Sequence, residues 1–147
     1  MGDANLQELE LTLLAPPQQL LTGRRHELRA QLHNLTDVPW LAICPTRFTG
    51  LLMQDGPQGQ QANGESWFAL TARQFALDVD ERVDLLGDVE ARGHYNGANA
   101  PMLEPGPYAL VVSLDVRLER PDGYARVVEV SCPAVQVQIV TRRPKQG

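Results

Sequence analysis

Cysteine and histidine are scarce in this sequence, with two cysteines and three histidines among 147 residues. Two cysteines are too few for a disulfide framework, and no paired C-x-x-C or H-E-x-x-H motif is present. His26 and His33 have opposite parity on a strand, so they should not converge on one ion. The sequence therefore predicts no metal site and no cofactor.

Catalytic motifs are also missing. The sequence has no G-x-S-x-G nucleophile elbow and no phosphate-binding G-x-x-x-x-G-K-[ST] loop. The acidic residues between 78 and 90 lack the ligand order of an EF-hand, and strand alternation explains them as a solvated face. A small hydrolase would need a polar cluster in a cleft, which the sequence does not indicate. We therefore predict a protein that is not an enzyme.

Long apolar runs and an excess of basic charge are absent too. No segment approaches the roughly 20 apolar residues of a membrane-spanning helix. Lys and Arg number 13 against 18 Asp and Glu, giving a net charge of −5, which disfavours nucleic acid as a partner. The first residues show no basic segment followed by an apolar one. We expect a cytoplasmic protein without membrane or nucleic-acid partners, or a secreted one if a leader has been trimmed.

Strict alternation of apolar residues is the strongest signal that is present. One parity of 107–118 is apolar, whereas Ser113, Asp115 and Arg117 occupy the other. Successive strand residues point to opposite faces, so this pattern predicts one long strand with a buried face. Asp122-Gly123 then predicts a hairpin turn, and Pro133 predicts a bulge or an edge in the last strand. The apolar parity consists of Tyr108, Leu110, Val112, Leu114, Val116 and Leu118.

Similar short alternating segments recur along the chain, separated by turn signals. Residues 47–71 are interpreted as a hairpin with a long tip. Residues 77–91 fit two strands joined near Asp80-Glu81, and alternatively a short helical turn capped by Gly87. Together the segments predict a single domain over 1–147, an all-β, immunoglobulin-like antiparallel β-sandwich of about seven to nine strands.

Cys44 and Cys132 each precede a proline. They could pair if the strand after Pro39 lies near the last strand, whereas buried free thiols are the ordinary state in a reducing compartment. An intermolecular link through either cysteine is a further alternative.

Candidate contact residues lie in or near two loops, 54–65 and 93–106, which are rich in Gly, Gln and Asn. The adjacent Trp67 and Phe68 would face opposite ways on a strand, so one should fill the core and the other should be exposed. Trp40 follows Pro39 in a turn and is either core or contact. The predicted loop contacts are Trp67, Phe68, Tyr95, Asn96 and Met102.

The order of these features resembles the immunoglobulin-like domain of the bacterial intracellular proteinase inhibitor family, the BsuPI type. The resemblance covers about residues 26–118 and implies a sandwich whose partner is a protease. It departs from the family in its long Gln-rich hairpin loop, and "DVDER" replaces the family's proline-glycine-glutamate turn. The matching residues are Asn34, Thr36, Asp55, Gly56, Trp67, Phe75, Pro105, Gly106 and Tyr108.

Two functional hypotheses follow. The first is a non-enzymatic protein-binding module that acts through its end loops, with a protease as partner if the resemblance extends to function. The second is a structural protein whose strands within 107–140 pair across a two-fold axis into a homodimer or larger assembly.

Overall fold

The computed structural model describes residues 7–64, 71–93 and 101–141, and within these ranges it contains strands and no helix. The described part accordingly holds no helix long enough to cross a membrane. The prediction of an all-β chain is confirmed. The strands are β1 (Leu9–Leu14), β2 (Gln19–Leu21), β3 (Arg25–Asn34), β4 (Trp40–Pro45), β5 (Arg47–Thr49), β6 (Leu51–Gln54), β7 (Gln60–Gln61), β8 (Ala72–Leu77), β9 (Arg82–Glu90), β10 (Gly106–Val111), β11 (Ser113–Glu119), β12 (Ala125–Ser131) and β13 (Val135–Val140).

The strands form three hydrogen-bonded sheets in a sandwich-like arrangement. Their orders are β1-β3-β9-β5, β2-β13-β10-β6-β7 and β12-β11-β4-β8. Apolar side chains from all three sheets meet in one buried cluster. The largest fully buried members include Leu11, Leu32, Leu52, Leu110 and Leu118. Burial of this apolar surface is the main favourable term in folding.

The predicted long strand over 107–118 is wrong as a single strand, because it breaks at Val112 into β10 and β11. Its partner breaks in the same place, between Ser131 and Val135, and the Cys132 amide donates to the Val112 carbonyl at 2.9 Å. The result is one bent hairpin whose two halves belong to different sheets. Alternation continues through the bend because both halves face the same core. Pro133, which cannot donate to a strand ladder, lies at the break.

The break in this hairpin also raises the number of strands, because it divides each of two long strands into two. About seven to nine strands were expected, whereas the described residues form thirteen, several of them only two or three residues long. Two of the short pairings are parallel, β2 with β13 and β5 with β9, so the sheets are not purely antiparallel. Short parallel pairings arise here because the chain changes sheets between its bends.

Two segment predictions have different outcomes. Residues 77–91 contain the end of β8 at Leu77, a turn over 78–81 in which Asp80 has a φ of 63°, and the whole of β9. The strand interpretation is confirmed, and Gly87 lies within β9 rather than at a helix end. Within the described part of the hairpin predicted over 47–71, the chain turns back over 55–59 and β6 pairs with β7, whereas the predicted return segment 66–70 lies outside the described residues. β8, which follows that segment, pairs with β4.

Gly87 allows a close approach between β9 and β5. It is buried opposite Phe48, and a Cβ atom at this position would clash with the Phe48 ring. We expect Gly87→Ala to lower the free energy of unfolding by about 2–3 kcal/mol, because overpacking forces neighbouring groups to shift. Urea denaturation would measure the loss.

The matched control is the same substitution in a Phe48→Leu background. The smaller side chain should make room for the added methyl group, so the cost of Gly87→Ala should shrink there. An equal cost in both backgrounds would show that Phe48 is not the source of the crowding.

Candidate functional site

Three turns lie together at one end of the sandwich, which we call the three-turn end. They are 34–39 between β3 and β4, 78–81 between β8 and β9, and 120–124 between β11 and β12. Strand register places them together, because Trp40 pairs with Leu77 and Leu41 pairs with Glu119. β9 also starts at this end, since His33 pairs with Arg82.

The buried side chain of Asn34 joins the first two turns. Its Oδ1 accepts hydrogen bonds from the Thr36 amide at 2.9 Å and the Thr36 hydroxyl at 2.6 Å. Its Nδ2 donates to the carbonyls of Val38, Leu77 and Asp78 at 3.0–3.1 Å. Asn34 is fully buried, so these bonds replace the water that its amide would otherwise bind. Local asparagine bonding of this kind is a known turn-forming device.

Trp40 connects this network to the third turn. Its Nε1 donates to the Thr36 hydroxyl at 2.9 Å, and its ring is only 3% exposed. The Tyr124 ring lies 6.3 Å away, and the Arg120 guanidinium carbon lies 4.8 Å from the Trp40 ring centroid. Arg126 also packs on Trp40, at 5.4 Å, and pairs with Glu8. Trp40 therefore belongs to the core, which was one of its two predicted roles.

Each of the three turns presents one large apolar side chain to solvent. Leu35 is 43% exposed, Val79 is 49% exposed and Tyr124 is 47% exposed. Single exposed apolar residues need no explanation, but here three share one end of the molecule. Their backbones are held by the network described above. The three-turn end thus combines rigid support with an apolar surface.

Three of the five acidic side chains in these turns accept hydrogen bonds from other described residues. The Asp78 amide donates to Glu81 at 2.8 Å, and the Tyr124 amide donates to Asp122 at 2.9 Å. His33 Nε2 donates to Asp80 at 2.6 Å. That hydrogen bond, together with the charge of His33, lowers the pKa of the Asp80 carboxyl.

None of the predicted contact residues is among the described residues of the three-turn end. Trp67, Phe68, Tyr95 and Asn96 fall outside the described residues. Met102 is described and is 62% exposed, but it forms a bridge with Arg92 at the opposite end of the sandwich.

Sequence reasoning missed Leu35, Val79 and Tyr124. The available signal was a large apolar side chain inside a cluster of turn-forming residues, as in "NLTD", "DVDE" and "DGY".

The two cysteines form no disulfide. Cys44 and Cys132 are both free and buried. Burial raises the pKa of the Cys44 thiol, and it raises that of Cys132 to about 11. A thiol that stays protonated is a poor nucleophile. A mainly apolar groove of about 320 Å³ lies along β4, β8, β11 and β12, and the buried Cys44 is among its lining residues.

The described part of the chain contains no cluster of three or more His, Cys, Asp or Glu side chains that could hold a metal ion. A second groove, of about 420 Å³, lies near Asp55 and Tyr108. Its lining residues include no nucleophile paired with a base. The three-turn end is therefore the best-defined candidate site in the described residues.

No family model matches this chain, and no curated protein matches it. Among solved structures, β-glucosidase from Listeria innocua in complex with glucose is similar at 15% identity and a TM-score of 0.43. The match covers 85% of this chain and 16% of the glucosidase chain, so the chain spans a small part of that protein.

Two small domains are also similar. PapD-like domain 7 of human CEP192 has 10% identity and a TM-score of 0.34, over 92% of this chain and 87% of that one. The CooA pilin subunit from enterotoxigenic Escherichia coli has 11% identity and a TM-score of 0.35, over 91% and 99%. None of these likenesses is close enough to indicate function.

The first prediction concerns Asn34. We expect Asn34→Ala to lower the free energy of unfolding by about 2–3 kcal/mol, because three carbonyls and one amide lose their buried partner. Asn34→Asp keeps the acceptor and loses the donor, so it should also destabilise. Urea unfolding would measure both variants. Gln74→Ala, at an exposed position on β8, is the control, and a loss no larger than its loss would contradict the prediction.

The second prediction concerns pH. The pKa of Asp80 is lower in the folded chain than in the unfolded one, so the unfolded state binds more protons in acid. The stabilising contribution of Asp80 is present above about pH 4 and is lost as the pH falls through the folded pKa. Unfolding free energies measured between about pH 5 and about pH 2 should therefore fall less steeply for Asp80→Asn than for the wild type.

Asparagine tolerates the positive φ of residue 80, so this substitution tests the carboxyl charge and not the turn geometry. Asp115→Asn removes a carboxylate from an exposed position on β11 and serves as the control. If Asp80→Asn matched the wild type across the acid range, the His33–Asp80 bond would contribute nothing to the pH dependence.

The third prediction concerns the thiols. With Cys132 protonated and buried, alkylation at mildly alkaline pH should be on the order of a hundredfold slower in the native chain than in denaturant. Mass spectrometry of iodoacetamide-treated protein would measure the rate for each cysteine. Rapid native labelling of Cys132 would contradict its buried, protonated state.

Proposed function

We propose that this chain is a non-enzymatic protein-binding module whose contact surface is the three-turn end. The observation that carries the proposal is the exposure of Leu35, Val79 and Tyr124, one on each of three turns that meet at this end. Loops on a rigid sandwich commonly carry binding residues. The proposal involves no catalytic step.

Rigid support favours binding at this end. Ordering a loop on association costs free energy, and a loop that is already ordered avoids that cost. Here the buried amide of Asn34 bonds within turn 34–39 and to turn 78–81, and Trp40 links them to Tyr124. Tyr, Trp and Arg are also the residue types that most often dominate protein interfaces.

The proposal places the contact surface away from the loops first expected. The described residues of loops 54–65 and 93–106 lie toward the other end of the sandwich, where β6 ends and β10 begins. The resemblance to the proteinase inhibitor type makes a protease one candidate partner, and this part remains a prediction.

Paired affinity captures test the proposal. The wild type, a Leu35→Ser/Val79→Ser variant and a Leu86→Ser/Val127→Ser control would each be immobilised and exposed to one lysate. The control removes exposed apolar residues from strands away from the turns. We expect a protein that the wild type and the control retain and the turn variant loses. Calorimetry with that protein should show a drop of about tenfold or more in affinity.

Thermal unfolding of all three proteins must first show that the turn variant is folded. Because Leu35 and Val79 point to solvent, their replacement should change stability by only about 0.5 kcal/mol. Equal capture by the turn variant and the wild type would overturn the proposal.

Assembly through an edge strand remains the alternative. β12 is an edge strand, but its half-buried Arg126 packs on Trp40 and pairs with Glu8 on the segment before β1. Inward-pointing charges on edge strands discourage pairing with another sheet. This observation supports the loop-binding proposal over the assembly hypothesis.

Light scattering separates the two. We expect a solution mass near 16.2 kDa that does not change on adding reductant, because both thiols are buried. A stable dimer would favour the edge-strand hypothesis, and a dimer lost in reductant would indicate an intermolecular disulfide.

A further inference from the structure

Arg120 occupies an unusual place in the three-turn end. Its backbone amide donates to the Tyr124 carbonyl at 2.8 Å and closes the turn between β11 and β12. Its guanidinium carbon lies 4.8 Å from the Trp40 ring centroid and 4.9 Å from the Tyr124 ring centroid. The two rings are tilted at 44°, so the guanidinium sits in the angle between them.

The polar atoms of this guanidinium remain available. Arg120 is exposed, and its side chain makes no hydrogen bond or ion pair with any residue in the described ranges. Nearby acidic groups bond elsewhere: Glu119 pairs with Arg117, Asp122 accepts from the Tyr124 amide, and Asp80 accepts from His33. The neighbouring Arg126, by contrast, has a carboxylate partner in Glu8.

A guanidinium held in this way is prepared for one kind of ligand. It carries five N–H donors in a planar fork that matches both oxygens of a carboxylate. Contact with aromatic rings fixes the fork and reduces the entropy lost when a ligand binds. The turn and the two aromatic rings therefore position the guanidinium, and a binding partner would supply the hydrogen-bond acceptor.

We propose that Arg120 receives a carboxylate of the partner protein, with Leu35, Val79 and Tyr124 forming an apolar surface around it. The inference rests on the proposed function and names the chemistry that its partner presents. That carboxylate is an Asp or Glu side chain or a chain terminus. Nucleic acid is disfavoured because the chain carries a net charge of −5 and the three turns contain one basic residue, Arg120 itself.

A random-peptide library supplies the probe. Peptides with free carboxyl termini would be selected against the immobilised full chain, and their affinities measured for the wild type, Arg120→Gln, Arg120→Lys and Arg29→Gln. Arg29 is an exposed arginine within β3 and serves as the matched control. Thermal unfolding would confirm that each variant is folded. Arg120→Lys keeps the positive charge and loses the planar fork.

We expect the selected peptides to share an acidic residue or to require a free terminal carboxylate. Their affinity should fall about 30-fold for Arg120→Gln, by an intermediate factor for Arg120→Lys, and not at all for Arg29→Gln. Amidating the peptide terminus, or replacing its Asp and Glu by Asn and Gln, then identifies which carboxylate binds.

Two results would overturn the inference, and they differ in what they leave standing. In the first, the peptides lose affinity for the Leu35→Ser/Val79→Ser variant but bind Arg120→Gln as tightly as the wild type. That result would support the proposed contact surface and contradict carboxylate binding by Arg120. A selection whose peptides depend on none of the three turns, or that yields no peptide, would count against both proposals.

Discussion

The buried amide of Asn34 is the interaction on which the three-turn end depends. Its five hydrogen-bond partners come from turn 34–39 and from the end of β8 and the turn that follows it. Without these bonds the carbonyls that both turns direct toward Asn34 would lose this partner, and unpaired carbonyls in a core are costly. Trp40 extends the same network to the third turn through Thr36. One side chain therefore sets the relative positions of surfaces that are far apart in sequence.

The bent hairpin of β10–β13 has the complementary role of joining the sheets. Its bend at Val112 and Pro133 lets one continuous apolar face serve two sheets. β11 and β12 then reach the three-turn end and deliver Arg120 and Tyr124 there. Core packing thus explains the alternating apolar residues of 107–118. The turn that follows them contributes Arg120 and Tyr124 to the candidate contact surface.

The sequence predicts what depends on local periodicity and misses what depends on distant partners. Alternation identified the buried parity of β10 and β11, and the Asp80 turn was placed between two strands. The break at Val112 was missed because burial continues through it, so the pattern itself does not change. The parallel pairings of β2 and β5 were missed because three residues carry too little pattern. The importance of Leu35, Val79 and Tyr124 depends on three turns meeting, which no local window contains.

Stability and the proposed binding are carried by different atoms of the same turns. Asn34, Thr36 and Trp40 point inward and hold the backbone, whereas Leu35, Val79 and Tyr124 point outward. Substitutions at the outward positions can therefore alter a contact surface while the inward network keeps its shape. Arg120 belongs to both groups, because its backbone amide closes a turn and its guanidinium packs over the ring of buried Trp40, while the residue is exposed to solvent. A charge that the fold positions, and that no residue of the described ranges pairs with, is the feature that most directly distinguishes this end from an ordinary set of turns.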